Sequence, residues 1–311
     1  MNIGVIGGSG FIGSHVVDKL LERGHEVTVF DIMAPHRSDV RHIYVDITDL
    51  SKSCVALAGY YDAVYLLAAM SNVNDVYQNP VEAGQLNIMA VANVLEACRR
   101  AGIPRVLLAS TIWVYEMADT EEVDEGTPLD IAKTKHIYTA SKVAAELYCH
   151  AYQKLYGQNF TILRYGIPYG PRARWGTVVA NFVKRALNGE PLSIFGDGSQ
   201  YRNFIYVEDL AEGNVAALSD KAINQTYNLE GLRPITIKEI AETIKKLLGD
   251  ITIEYKDARP GDYDGARVLA AKAKNELDWE PKVDFEEGMR RYIEWYKKSV
   301  SPELSKSALS F

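Results

Sequence analysis

An α/β fold built on a doubly wound parallel sheet, with a smaller mixed α/β substrate domain, is what this 311-residue sequence predicts. Three observations lead there. Short runs rich in Val, Ile and Tyr alternate with longer segments of helical periodicity through the first half of the chain. Several of those runs are apolar almost throughout, as strands covered on both faces are. The first run passes straight into a glycine-rich turn that opens a helix. Strand and helix in alternation imply parallel strands joined by crossovers.

Taken in order, strands are expected at Asn2–Ile6, Glu26–Phe30, His42–Val45, Ala63–Leu67, Arg105–Ala109 and Asn159–Arg164. Helices are expected near Phe11–Arg23, Pro80–Ala101 and Thr134–Tyr156, with Gly24 and Gly102 where C-caps belong. After about Tyr165 the rhythm changes. A loop rich in Gly, Pro and Arg (Gly166–Gly176) leads into a helix, a short strand Leu192–Phe195 and the turn Gly196-Asp197-Gly198. A strand at Asn203–Tyr206, a helix at Glu208–Ser219 and a strand near Tyr227–Leu229 are expected to return to the first domain. Helices at Ile237–Leu248 and Phe285–Lys298 form a lid. The expected division is a first domain of residues 1–165, with 203–230 returning to it, and a second of 166–202 and 231–298. A serine-rich tail, 299–311, frays.

Hydrophobic residues at 47% and charged residues at 24% supply a real core and exclude a disordered or collagen-like chain. Lys and Arg number 34 against 41 Asp and Glu, for a net charge of −7. Such a surface has no general attraction for nucleic acid phosphates or anionic lipid, so a few placed arginines must hold any anionic ligand. Apolar runs such as Val64–Met70 are far too short to span a membrane, and no basic leader precedes the first strand. Cys54, Cys98 and Cys149 are widely spaced, form no metal motif and read as buried reduced thiols. A soluble, cytoplasmic protein is expected.

Gly7, Gly10 and Gly13 form a G-x-x-G-x-x-G spacing between a strand and a helix. Gly7 permits the tight turn, Gly10 lets the backbone approach a pyrophosphate, and Gly13 lets the helix pack close to the sheet. Asp31 ends the second strand, where an acceptor holds ribose hydroxyls and its charge repels a 2′-phosphate. NAD is therefore expected rather than NADP, the alternative for Asp31 being a solvated loop carboxylate. Asp46 and Ile47 follow the third strand and Leu67, Ala68 and Ala69 the fourth, at the sheet edge where ligands bind. The small alanines let a cofactor lie against the backbone. This is a Rossmann-type arrangement.

Tyr138 and Lys142 are four residues apart and share one helix face. A tyrosine has a pKa of about 10, so to act as a base near neutrality it needs roughly 4 kcal/mol of preferential phenolate stabilisation. A lysine one turn away and a positive nicotinamide ring are the expected sources. Thr111 ends the fifth strand, 27 residues before Tyr138, as the third member; strand-end capping is its plainer alternative.

Gly7–Gly13, Ala109-Ser110-Thr111, Val114-Tyr115 and Tyr138–Lys142 resemble the extended short-chain dehydrogenase/reductase family over essentially the whole chain to about residue 298. The later motifs resemble its nucleotide-sugar epimerases and dehydratases, the UDP-glucose 4-epimerase-like group. They are Leu163-Arg164-Tyr165, Tyr169-Gly170-Pro171-Arg172, Gly196-Asp197-Gly198, the run from Arg202 to Asp209, and Arg259-Pro260-Gly261-Asp262. The resemblance implies that Arg202 and Arg259 clamp a diphosphate and Asp262 accepts from the nucleotide ribose. It also implies Ser71, Thr111 and Asn181 on the substrate, and Phe11, Ile12, Asn87, Ser110 and Tyr165 beside the cofactor. A homodimer is implied too, through the Pro80–Ala101 and Tyr138 helices.

Dehydratases of this group carry Asp and Glu directly after the Thr, and the decarboxylases a Glu two residues after it. Here Ile112 and Trp113 occupy those places, so elimination and decarboxylation lack their usual catalyst. The remaining Thr–Tyr–Lys set implies a 4-epimerase acting on UDP-glucose/UDP-galactose or an N-acetyl analogue. A dehydrogenase, reductase or dehydratase of the same family, and a non-catalytic dinucleotide sensor, are the alternatives. Three positions depart from the family pattern. Ile167 replaces a common Asn and argues against a glucuronate substrate, Glu116 replaces the glycine usual after Val-Tyr, and Ala266 leaves room for an N-acetyl group.

Overall fold

The computed structural model describes residues 1–174, 176–257 and 266–299. In chain order its first elements are β1 (Asn2–Ile6), α1 (Phe11–Glu22), β2 (Glu26–Asp31), β3 (Arg41–Tyr44), α2 (Leu50–Ala56), β4 (Ala63–Leu66), α3 (Val73–Gln78) and α4 (Pro80–Gly84). A π-helical turn (Gln85–Met89), α5 (Ala90–Ala101), β5 (Arg105–Thr111), a 3₁₀ helix (Ile112–Met117), β6 (Glu122–Val123) and α6 (Ile137–Tyr156) follow. Next come β7 (Asn159–Tyr165), β8 (Ile167–Tyr169), α7 (Val178–Leu187), β9 (Leu192–Phe195), β10 (Tyr201–Arg202), β11 (Phe204–Tyr206) and α8 (Val207–Ala216). The last are β12 (Gln225–Leu229), β13 (Ile235–Thr236), α9 (Ile237–Leu248), β14 (Ile253–Lys256), β15 (Arg267–Val268), α10 (Ala271–Leu277) and α11 (Phe285–Ser299).

Seven parallel strands form one sheet in the order β12-β7-β5-β4-β1-β2-β3. The winding reverses between β1 and β4, so the crevice outside their carboxyl ends is where a ligand is received. Apolar side chains fill both faces. Val5, Leu20, Tyr65 and Leu210 lie in one core, and Phe30, Leu66, Leu95 and Ile162 in the other. Each such fully buried side chain contributes about 1.5–3 kcal/mol relative to exposure, which is why these strands are apolar along both faces.

β12 joins the sheet beside β7. β11 does not join that sheet but pairs with β8 in a separate two-stranded ladder, while its Ile205 lies in the same core as Val5 and Leu20. A third core, with Tyr169, Phe204, Ile240, Met289 and Tyr292, fills the second lobe. The helix expected over Pro80–Ala101 is interrupted by the π turn, and α6 begins at Ile137 rather than Thr134. No helix among the described residues is long and apolar enough to cross a membrane.

Candidate active site

The carboxyl ends of β1, β2, β4, β5 and β7 open on a cleft of about 690 Å³. Gly7 turns the chain there at φ +83°. A Cβ on Gly13 would stand 2.0 Å from the Gly7 carbonyl oxygen, so α1 can approach the sheet only with glycine at that position. Gly10 is different: among the described residues its Cβ direction meets that same oxygen alone, at 3.3 Å, and the residue faces the cleft. Gly10 is also the N-cap of α1, with no side-chain cap, which leaves the first turn of the helix to face the cleft through Phe11, Ile12 and Gly13. Backbone N–H groups and the helix dipole at such an end favour an anion.

Asp31 lines the far end of this cleft. Its carboxylate accepts from Ser9 N–H and Met33 N–H, both at 3.0 Å, and so ties the glycine loop to the end of β2. Ser9 was invisible to spacing because its backbone, not its side chain, makes this tie. Asp46 lines the cleft with its carboxyl held below the usual range by the Thr48 hydroxyl and N–H. Ile47, Leu67, Ala68, Ala69, Ser71, Ser110, Thr111, Tyr138 and Tyr165 complete the wall.

Asn87 is not on that wall. Its buried amide accepts from Met70 N–H at 2.8 Å and donates to the Met70 carbonyl at 2.9 Å and Ser141 Oγ at 3.1 Å. The π turn swings it inward, so the residue expected beside the cofactor instead pins the segment after β4 to α6. Ser110 reaches the wall with its hydroxyl donated to Glu146 at 2.5 Å. Glu146 in turn receives the buried guanidinium of Arg164 at 3.1 and 2.7 Å.

Tyr138 lies in the first turn of α6 and Thr111 at the end of β5, and their hydroxyls are hydrogen-bonded. Burial pushes the phenol up to about 12, opposed by the Thr111 bond and the charge of Arg174. Lys142 was expected to be the opposing charge. Its ammonium instead donates to the Ala109 carbonyl at 3.0 Å, and burial, partly offset by Glu146, lowers it to about 8.

A second cleft of about 820 Å³ meets the first where Ser71, Trp113, Ile167, Arg174 and Thr177 line both. Asn181 and Arg202 line it, joined by Lys184, Arg185 and Lys256, with Glu190 the one carboxylate among the described residues of its wall. This concentration of cations in an acidic protein suits a diphosphate. Two buried oxygens on its wall, Ser193 Oγ and Gln200 Oε1, have no hydrogen-bond partner among the described residues. Arg259 and Asp262 lie outside the described residues. Arg174, Lys184 and Lys256 were missed because they come from a loop, a helix and a strand that no local motif connects. The Arg-rich composition of Gly166–Gly176 was the one signal for the first.

Comparison with known proteins agrees with this geometry. Residues 3–229 match the model of the NAD dependent epimerase/dehydratase family. A putative UDP-glucose 4-epimerase of Methanocaldococcus jannaschii is 32% identical, covering 95% of this chain and 98% of its own. A UDP-glucuronate 4-epimerase of Thermodesulfobacterium geofontis is 31% identical, over 97% and 98%. The crystal structure of UDP-glucose 4-epimerase from Thermotoga maritima, bound to UDP-glucose, superposes with a TM-score of 0.89 at 32% identity, covering 96% of this chain and 100% of that one. Decarboxylases and dehydratases of nucleotide sugars stand among the similar proteins as well. With the glycine loop, the Thr–Tyr pair and this likeness along nearly the whole chain, the protein belongs to the NAD dependent epimerase/dehydratase family.

Proposed function

We propose that the protein is an NAD-dependent epimerase that inverts C4 of a nucleotide sugar through a transient 4-keto sugar, with a UDP-sugar as substrate. The observation that carries this reading is the Thr111–Tyr138 pair on the sheet-edge cleft, beside Trp113 where the two clefts meet, with Ile112 and Trp113 after Thr111 instead of acid–base side chains. The sheet-edge cleft fits the dinucleotide: glycines where a Cβ would block it, a helix N-terminus for the pyrophosphate and Asp31 for a ribose. When bound, NAD supplies the reversible acceptor and donor of a hydride at the sugar C4.

Tyr138 takes the C4 hydroxyl proton and later returns it, while Thr111 orients that oxygen. Lys142 serves the nicotinamide ribose, while the charge of Arg174 and the Thr111 hydroxyl oppose the desolvation that otherwise keeps Tyr138 protonated. Arg202, joined by Arg259 and Asp262, holds the diphosphate and nucleotide ribose while the keto sugar turns over. Trp113 and Ile167 give that sugar a largely apolar wall. In this reading the seven-stranded lobe binds NAD and the second lobe binds the nucleotide. Two copies pair through α3, α4, the π turn and α6, where Tyr77, Val81, Met89 and Leu147 are exposed.

A second reading changes the sugar and keeps the reaction. The Arg174 guanidinium lies at the junction and acts on Tyr138, a position from which it can pair with the carboxylate of a hexuronate. One experiment tests both: the purified protein is incubated with UDP-, dTDP-, GDP- and CDP-sugars without added cofactor, and products are resolved by NMR. C4 epimers without net NADH sustain the proposal and identify the sugar. Stoichiometric NADH with a keto product means a dehydrogenase, and a 4-keto-6-deoxy sugar means a dehydratase.

A further inference from the structure

Tyr138 is the second residue of α6, in the turn where helices fray, and its helix has no side-chain cap of its own. The N-cap, His136, has an extended backbone and a ring that cannot cap. What fixes this end comes from elsewhere. The carboxylate of Glu116, the residue that replaces the family's glycine, is buried and reaches back from the 3₁₀ helix after β5. It accepts from Lys135 N–H at 3.0 Å, from His136 N–H at 3.3 Å and from the His136 ring nitrogen Nδ1 at 2.5 Å. A buried carboxylate at a helix N-terminus is further favoured by the helix dipole.

The ring so held meets the edge of Trp113, with centroids 5.5 Å apart, and Trp113 meets Tyr138 edge-on at 6.4 Å. Thr111 closes the circuit, accepting from Trp113 N–H at 3.2 Å while bonded to Tyr138. We propose that Glu116 and His136 are positioning residues: together they set where α6 begins and brace Trp113, and so hold the Tyr138 hydroxyl on Thr111 and fix the wall of the sugar site. The inference rests on the reading of Tyr138 as the acid–base residue. α6 starts at Ile137 and not at Thr134 because the backbone at His136 is extended, and Glu116 holds the N–H groups of that extended stretch.

The test uses Glu116→Ala, His136→Ala and His136→Gln in the full chain. The glutamine can still donate to Glu116, is no favoured N-cap and has no ring to brace Trp113, so it separates the tether from the brace. Hydrogen exchange of residues 134–141 is expected to quicken in both alanine variants and to return to the native rate in His136→Gln. Turnover is expected to fall about 10–100-fold in the alanine variants. KM for the nucleotide sugar stays unchanged, because the diphosphate is held elsewhere. Unchanged exchange in this segment, or faster exchange with unchanged turnover, overturns the proposal, and so does His136→Gln exchanging like His136→Ala. If the native protein turns over no nucleotide sugar, the functional reading has failed separately. The fluorine NMR signal of fluorotyrosine-labelled Tyr138, assigned by its loss in Tyr138→Phe, then decides. A shift in the alanine variants sustains positioning, and an unmoved signal overturns it.

Discussion

Lys142 and His15 are basic side chains that the fold buries, and burial is the largest influence on each. Lys142 is lowered from 10.5 to about 8. The unfolded chain therefore binds the extra proton between those values, and stability rises with pH across that window. At neutral pH the charged lysine costs about 3 kcal/mol. Lys142→Met is expected to raise the melting temperature at pH 7 while abolishing turnover, as measured by calorimetry and product NMR. His15 is lowered from 6.5 to about 4 by burial and then by Arg172, whose guanidinium lies 2.8 Å from its ring. Stability held above pH 6.5 is thus lost as the pH falls toward 4, by about 3 kcal/mol. Urea midpoints measured across that interval are expected to drop, and His15→Gln to flatten the drop. Gly7, Gly10, Gly13, Asp31 and the Tyr138–Lys142 spacing were legible in the sequence because each depends on local geometry alone. The hydrogen-bond partner of Lys142 was not, because Ala109 sits on another element and meets it only after packing.

Helices show the same division between local and distant causes. α1 follows its apolar pattern, and the expected positions of the sheet strands differ from the observed ones by only one or two residues at their ends. The π turn was not legible: nothing in Gln85–Met89 announces an extra residue per turn, and the Asn87 amide that occupies Met70 and Ser141 belongs to tertiary structure. The apolar residues around the Pro80–Ala101 segment predict burial on more than one side, but only one side is covered in the single chain: Val91, Val94 and Leu95 are buried and Val81 and Met89 exposed. Together with exposed Leu147 and Tyr77, that outward stripe is the proposed dimer face. Val81→Glu combined with Leu147→Glu is expected to convert a dimer to a folded monomer by light scattering at micromolar concentration. A native protein that is already monomeric at that concentration removes the proposal.

At the scale of the molecule, a chain of net charge −7 gathers five cations along one cleft. On the proposed function, binding of a dianionic diphosphate depends on them rather than on the overall field. Arg202→Ala is expected to raise KM about 10–100-fold with little change in turnover, since a charge-assisted hydrogen bond contributes about 1.5–3 kcal/mol. Steady-state kinetics on the substrate found in the panel measures it.

The place of β12 in the sheet has a consequence for how the chain is made. β7 is complete at Tyr165, but the strand that covers its open edge does not emerge until Leu229. During synthesis, β7 is therefore an uncovered parallel edge, rich in apolar side chains, for more than sixty residues of elongation. The nascent chain is at its most aggregation-prone in that interval. A premature stop anywhere in the first part of the second lobe leaves a sheet with an unprotected flank.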